Sequence, residues 1–504
     1  MTKKAKRVIF IMTDTTRADM LGCYGNEDMK TPCLDALAKE SVRYENAYTC
    51  QPVCGPARSS IFTGVAPHNN GVTSNCLPLG QGVKTLGEWL KQFNVQAGYI
   101  GKWHLDGGDY FGYGKCPDGW DPKYWYDMKC YLDELTPEER VQSRNPETAF
   151  TPGFSEEFTY AHRCTKRALN YLDEHKDEDF LLVVSYDEPH GPCLCPAPWN
   201  TMYEGFKWPD NPNFSDDLSQ KPFMQRLWAK DGINKTADEL NRPSKMLSLF
   251  LGCNSFVDNE IGKVIKKAQE LCPDAMIIFT SDHGDMLGNH RLQMKNAACY
   301  KEVANIPLII KGGKQGSVCT HPASHIDIVP TIMDYFDLPI PKMLEGKSML
   351  PQLEDPSLCL NEAVFTEWTR YEQDHDGFGG LQLMRAATSE NYKLVIHLCD
   401  TDEFYDLKQD PHEIHNLIND PNYQEQRNHL HDLLLENMNR TRDVFRGYQW
   451  ACRPWRQDKT PSWENDGYTR QRDNDPWEPR QLDYDTGLPM VEATRKKTTK
   501  DEKN

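Results

Sequence analysis

The chain lacks any stretch approaching the roughly 18 uncharged apolar residues that a membrane-crossing helix needs, and it has no concentrated basic patch. Its net charge is -18, so a nucleic-acid backbone or an anionic membrane surface would be repelled, and neither is expected as a partner. It has no CxxC pair either. Seventeen cysteines are scattered along the chain, and Cys193 and Cys195 come closest to a motif. A chain this long folds without covalent staples, so these are expected to be free thiols in a reducing compartment. A short basic run, Lys3 to Arg7, leads directly into 8–12, which is too brief for the apolar part of a signal sequence and is followed by Asp14 rather than a small-residue cleavage site. It reads as a first buried strand, and the protein is expected to stay in the cytoplasm. No internal repeat is present.

What the chain does have is bulk. Its 504 residues are 38% hydrophobic and 26% charged, enough for a large core with an appendage. Short apolar runs at 8–12, 97–100, 180–185, 275–280 and 307–311 read as buried strands, and helical patterns at 85–93, 157–175 and 244–270 precede the second, third and fourth. This alternation predicts an α/β sandwich with a mostly parallel sheet covered on both faces. Ligands of such sheets gather at the carboxyl ends of the strands. There the sequence places Thr13-Asp14-Thr15, Gly101-Lys102-Trp103-His104, Tyr186-Asp187-Glu188-Pro189-His190 and Ser281-Asp282-His283. The texture changes near Glu362: candidate strands at 363–368, 381–387 and 393–398 and a helix at 423–448 predict a smaller α+β subdomain. The expected divisions are a catalytic domain at 1–361, the subdomain at 362–450, and a wrapping tail at 451–504 rich in Trp and Pro, disordered at its end.

Cys54-Gly55-Pro56-Ala57-Arg58, followed by Thr63-Gly64, is the segment richest in chemistry. A cysteine in a small-residue turn that feeds a helix has its thiolate favoured by the helix N-terminus and by Arg58, although a lone cysteine there is more often a buried packing residue. The whole pattern resembles the signature of the type I sulfatase family, formylglycine-dependent enzymes of the alkaline-phosphatase-like superfamily, in which a maturation enzyme oxidises that cysteine to formylglycine. The resemblance extends through Thr13 to Asp19 with Leu21 to Gly25, Gly101-Lys102-Trp103-His104-Leu105, Ser281-Asp282-His283-Gly284-Asp285 with Lys295, and Asp406-Leu407 with Asp410-Pro411-His412-Glu413. Within the family it is similar to the YidJ-type branch, through 185–190 and the segment from Tyr448 to Arg456.

The resemblance implies an α/β/α sandwich with a large mixed, mostly parallel sheet and a C-terminal subdomain with an antiparallel sheet. It also implies roles: Cys54 as the formylglycine nucleophile; Asp14, Asp282, His283 and an oxygen of modified Cys54 as metal ligands, with Thr15 a further candidate; Arg58 and His104 to position and deprotonate the nucleophile; Lys102 and Lys295 for the sulfate oxygens; and His190 to protonate the leaving alcohol. The chemistry needs such groups, because the leaving alcohol is poor and charge must be drawn from sulfur. An aldehyde hydrate also has two hydroxyls, one to attack and one to release the product, whereas a thiol has no second hydroxyl.

Thr15 and His283 stand where many relatives carry aspartate and asparagine. Calcium is the expected ion, with magnesium or manganese as alternatives, since imidazole suits softer metals than an all-oxygen shell does. The expected substrate is a small sulfated saccharide, with Asp106, Asp109, Arg370, His375 and Asp376 as candidates for specificity. Two other readings stay open, a phosphodiesterase or phosphonate monoester hydrolase on the same fold and an inactive sulfated-sugar binding protein. Homo-oligomerisation is left open as well.

Overall fold

The computed structural model describes residues 5–107, 110–209, 211–295, 298–370, 381–456 and 458–459. The chain divides into two compact units, Met1–Thr441 and Arg442–Asn504. Among the described residues, the first unit has thirteen strands: β1 (Arg7–Thr13), β2 (Val42–Tyr44), β3 (Ala47–Tyr48), β4 (Gln96–Gly101), β5 (Phe180–Ser185), β6 (Met276–Ser281), β7 (Leu308–Lys311), β8 (Ser317–Cys319), β9 (Ala323–Ser324), β10 (Val364–Trp368), β11 (Met384–Thr388), β12 (Tyr392–His397) and β13 (Glu403–Asp406). Seven form the main sheet in the order β4-β5-β1-β6-β7-β2-β8.

The four strands β4, β5, β1 and β6 run parallel. β7 is antiparallel to both β6 and β2, and β2 is parallel to β8, which makes the sheet mixed. Alternation along the central strands explains why they read as continuous apolar runs. Ile9, Ile11, Leu182, Val184, Ile277 and Phe279 enter one core with residues of the helices Tyr160–His175 and Lys245–Leu271. Val8, Phe10, Met12, Leu181, Val183, Met276 and Ile278 enter the other, under the helices Cys54–Thr63, Leu86–Gln92 and Ile328–Tyr335. Each such side chain, fully buried, contributes roughly 1.5–3 kcal/mol.

Register then fixes the site. Met12 and Gly101 both pair with Ser185, and Thr13 pairs with Ser281, so the parallel strands end at one level. The next residues, Asp14, Lys102, Tyr186 and Asp282, therefore emerge along the same sheet edge. Gly101 makes the exit of β4 possible: its φ is +119°, and a Cβ there would lie 1.9 Å from the Ser185 carbonyl oxygen. Only glycine fits.

The smaller sheet is antiparallel in the order β10-β11-β12-β13, and the helix Gln424–Thr441 packs on β11 and β12. Trp368, Met384, Ala386 and Val395 of this sheet pack with Val53, the residue before Cys54, so the sheet braces the Cys54 segment from behind.

The expected strands appear within a few residues of their predicted positions. The short strands β2, β3, β8 and β9 and the last strand β13 were not predicted. The helix expected at 423–448 stops at Thr441, because Arg442 takes a left-handed φ of +57°. The second unit has a short helix, Tyr448–Ala451, and the tail with Trp463, Trp477 and the expected disordered end lies outside the described residues. No helix among the described residues is long and apolar enough to cross a membrane.

Candidate active site

Cys54 is the first residue of a helix that is buried along its whole length, and Val53 before it is extended. Arg58 lies four residues on, which puts it on the same helix face one turn deeper. From there its guanidinium donates to Asp282 Oδ2 (3.1 Å), Asp14 Oδ2 (3.0 Å), the Lys102 carbonyl (2.8 Å) and Ser185 Oγ (2.7 Å), tying together the ends of all four parallel strands. Lys102 Nζ is 2.7 Å from Asp14 Oδ2 and 3.0 Å from Asp187 Oδ1. The site is an alternating lattice of buried charge.

Around Cys54 Sγ lie Lys295 Nζ at 3.0 Å, His283 Nε2 at 3.2 Å and Asp14 Oδ1 at 3.7 Å. Burial and Asp14 both push the thiol's pKa up, but Lys295, Lys102 and His283 outweigh them and hold it well below the usual thiol range. His283 Nδ1 faces the Gly284 carbonyl at 2.8 Å, and a carbonyl only accepts, so Nδ1 carries a hydrogen and Nε2 is the nitrogen turned toward the sulfur. His104, at a left-handed φ of +57°, is buried near Cys54, and its pKa is lowered chiefly by burial. Burial and the neighbouring Asp14 charge raise the Asp282 carboxyl to about 7. His190 Nε2 lies 3.4 Å from Lys295 Nζ.

The structure thus brings Asp14, Cys54, Arg58, Lys102, His104, His190, Asp282, His283 and Lys295 into one cluster. Thr15 stands at its edge: at φ +71°, its N–H donates to Asp282 Oδ1 (3.1 Å) and its hydroxyl to Asp14 Oδ1 (2.6 Å). Asp106 accepts from the Tyr113 N–H within its own loop (3.4 Å), and the Arg370 carbonyl accepts from Gln51 (3.3 Å). Asp109, His375 and Asp376 lie outside the described residues.

Sequence reading gave no role to Asp187 or Tyr110. Asp187 was visible as part of a strand-end polar cluster. Tyr110 belongs to a glycine-rich loop with no signal beyond its closeness to His104. A cavity of about 800 Å³ opens from Thr15, His190 and Lys295 toward Arg242, Met246, Phe250 and Met294, room for a ligand the size of a small sugar.

Asp14, Cys54, Asp282 and His283 each offer a donor atom within 4.8 Å of the others, and all four are buried. The cluster of Glu156, His162 and Glu260 differs, because Lys263 Nζ already pairs with both carboxylates, at 3.1 Å from Glu156 and 2.5 Å from Glu260.

On an alkaline-phosphatase-like fold, the strand ends gather buried cations, two carboxylates and a thiol, an arrangement suited to a group bearing several anionic oxygens. The chain belongs to the sulfatase family, whose sequence profile matches residues 6–338, and it is a sulfuric ester hydrolase. A second profile, the C-terminal part of N-sulphoglucosamine sulphohydrolase, matches residues 288–440. The chain is 42% identical over 497 residues, 96% of its own length and 97% of the other's, to the uncharacterized sulfatase YidJ of Escherichia coli K12. Its fold is similar to that of BT4656, solved with its substrate D-glucosamine-2-N,6-O-disulfate (TM-score 0.71, 23% identity, 88% of this chain and 99% of the other). It is likewise similar to that of the phosphonate monoester hydrolase of Agrobacterium radiobacter (TM-score 0.73, 22% identity, 88% and 97%).

Proposed function

We propose that this sulfatase cleaves the sulfate ester of a small saccharide, using formylglycine formed from Cys54 beside a divalent cation. The observation that carries the reading is the setting of Cys54 Sγ, which faces Lys295 Nζ at 3.0 Å and His283 Nε2 at 3.2 Å at the start of a buried helix. In the mature enzyme that sulfur stands for an oxygen of the formylglycine hydrate, which would supply the attacking hydroxyl and a second one for product release.

The donors suit a cation. Separations of 3.7 Å from His283 Nε2 to Asp282 Oδ1 and 3.9 Å to Asp14 Oδ1 match neighbouring ligands of one ion. Asp14, Asp282, His283 and the modified Cys54 would hold it, with Thr15 a further candidate, and the ion would polarise the sulfate and fix the nucleophile. Two carboxylates and an oxygen from residue 54 suit a hard cation, calcium first, with magnesium or manganese as alternatives. Arg58 holds the carboxylates in place, and His104 faces Cys54 to take a hydroxyl proton. Lys102 and Lys295 present compact cations to the sulfate oxygens, and His190, at the cavity mouth, gives a proton to the departing alcohol.

The saccharide is supported by the cavity's size and by the sugar disulfate that BT4656 binds. Asp106, Asp109, Arg370, His375 and Asp376 remain candidates for reading it. Cys54 is 1% exposed, so its maturation enzyme must meet the chain before this helix is packed. The scattered cysteines, with no CxxC pair, support a reducing compartment and hence the cytoplasm. The experiment is a screen of sulfated mono- and disaccharides for sulfate release, with an aryl phosphodiester alongside. Faster turnover of the phosphodiester than of every sulfate ester would replace this reading with phosphodiester hydrolysis, a chemistry the phosphonate hydrolase likeness brings into view.

A further inference from the structure

Tyr110 touches three of the groups assigned to the chemistry. Lys102 Nζ sits 4.2 Å from the centre of its ring. The His104 ring meets it edge-on at 5.4 Å, and the His190 ring lies 5.3 Å away at a shallow 32°. Its hydroxyl is hydrogen-bonded to Asp187 Oδ1 and lies 3.1 Å from His190 Nδ1.

The direction of each hydrogen bond follows from what its partner can do. The Asp187 carboxyl is held below its ordinary range: burial pushes it up, but Lys102 and His190 outweigh that effect. As a carboxylate it only accepts, so the Tyr110 O–H donates to it. Burial and Asp187 raise the phenol far above its usual pKa, so it keeps that hydrogen. The phenol has one hydrogen, now committed, and therefore meets His190 Nδ1 with a lone pair. The other neighbour of Nδ1 is the Gly191 carbonyl at 3.1 Å, also purely an acceptor. Both groups facing Nδ1 demand a donor. Nδ1 must carry a hydrogen, and Nε2, facing Lys295 and the cavity, is left as the nitrogen that gains and loses the exchangeable proton.

We infer that Tyr110, anchored by Asp187, is a positioning residue that fixes the ring orientation and tautomer of His190 so that Nε2 delivers the proton to the leaving alcohol. This rests on the proposed acid role of His190. In the step, the Nε2 proton moves to the ester oxygen as the S–O bond breaks and its electron pair stays on that oxygen. The imidazole is left neutral with its hydrogen on Nδ1, and water restores the Nε2 proton. Asp187 also pairs with Lys102, so the same carboxylate aligns the leaving-group acid and a cation on the sulfate side.

The test is the dependence of kcat/KM on leaving-group basicity, measured with phenyl sulfate and 4-nitrophenyl sulfate for the wild type, Tyr110→Phe, His190→Ala and the double variant. Phenylalanine keeps the ring against Lys102 and His104, and circular dichroism checks that the fold is retained. Removing an orienting partner typically costs ten- to a hundredfold, so Tyr110→Phe is expected to lose about that much on phenyl sulfate and under about threefold on 4-nitrophenyl sulfate. In the His190→Ala background the added phenylalanine should change neither rate. If His190→Ala loses selectively on phenyl sulfate but Tyr110→Phe lowers both substrates alike or neither, the positioning role is wrong while the acid role stands. If His190→Ala itself lowers both equally, the acid role falls and the inference with it.

Discussion

The Arg58 guanidinium lies 3.0 Å from the Asp14 carboxylate, with both side chains wholly withdrawn from solvent. Asp282 lies on the other side of the same guanidinium, at 3.1 Å. Removing one partner of a buried ion pair leaves a charge without compensation, at a cost of about 3–5 kcal/mol. Arg58→Ala is therefore expected to lose most of its folding stability as well as its activity. Arg58→Lys, which lacks the fork to span two carboxylates, should fall between. Urea unfolding checks the order, and unchanged stability in Arg58→Ala would show that the pair does not hold the strand ends together.

For Asp282→Ala, both metal content and rate are expected to fall, since a hard cation with two protein carboxylates cannot spare one. Elemental analysis of the purified variant and of the wild type reads this directly. Active wild-type protein without a stoichiometric divalent ion would overturn the metal-assisted reading.

His190→Ala should discriminate between leaving groups in sugars as well. General acids are worth roughly a hundred- to ten-thousandfold when the leaving group needs a proton. The variant is expected to lose that much on a sulfated sugar and little on 4-nitrophenyl sulfate. Equal losses would make His190 a binding residue only.

Glu188 gives a stability test that does not depend on catalysis. Buried beside Asp187, its carboxyl is raised to about 8, by burial first and by the Asp187 charge second, while Oε1 accepts from the Ala161 N–H at 2.9 Å. A carboxyl whose pKa is higher in the folded state binds more protons there than in the unfolded chain, so stability falls as pH rises from the ordinary glutamate value to about 8. Glu188→Gln keeps the Oε1 acceptor and removes the titration. Between pH 5 and pH 9 the wild type is expected to lose on the order of a few kcal/mol more than the variant. Parallel stability-versus-pH curves would show that Glu188 is not buried as a neutral acid.

Strands β1, β5 and β6 were readable because each is an uninterrupted apolar run buried on both faces, a pattern that belongs to a central parallel strand. The short strands β2 and β8, three residues each, carry no such run and gain their pairing only from the rest of the sheet. The charged cluster was readable at Asp14, Lys102, Asp282 and His283 because the parallel register carries strand ends to one edge. Tyr110 was not, because its place depends on how a loop folds back over His104 and His190, which periodicity does not encode. Asp187 was seen but had no assigned partner, since its bonds to Lys102 and Tyr110 join residues 85 and 77 positions away.

The most direct measurement is the mass of the tryptic peptide spanning residues 44–58 from active enzyme, after thiol alkylation. This peptide holds Cys50 as an internal control beside Cys54. The expected result is an alkylated Cys50 and an unalkylated aldehyde at position 54, in a fraction that follows specific activity from one preparation to the next. Full sulfatase activity in protein whose Cys54 is entirely an alkylatable thiol would contradict the assignment of formylglycine as the nucleophile.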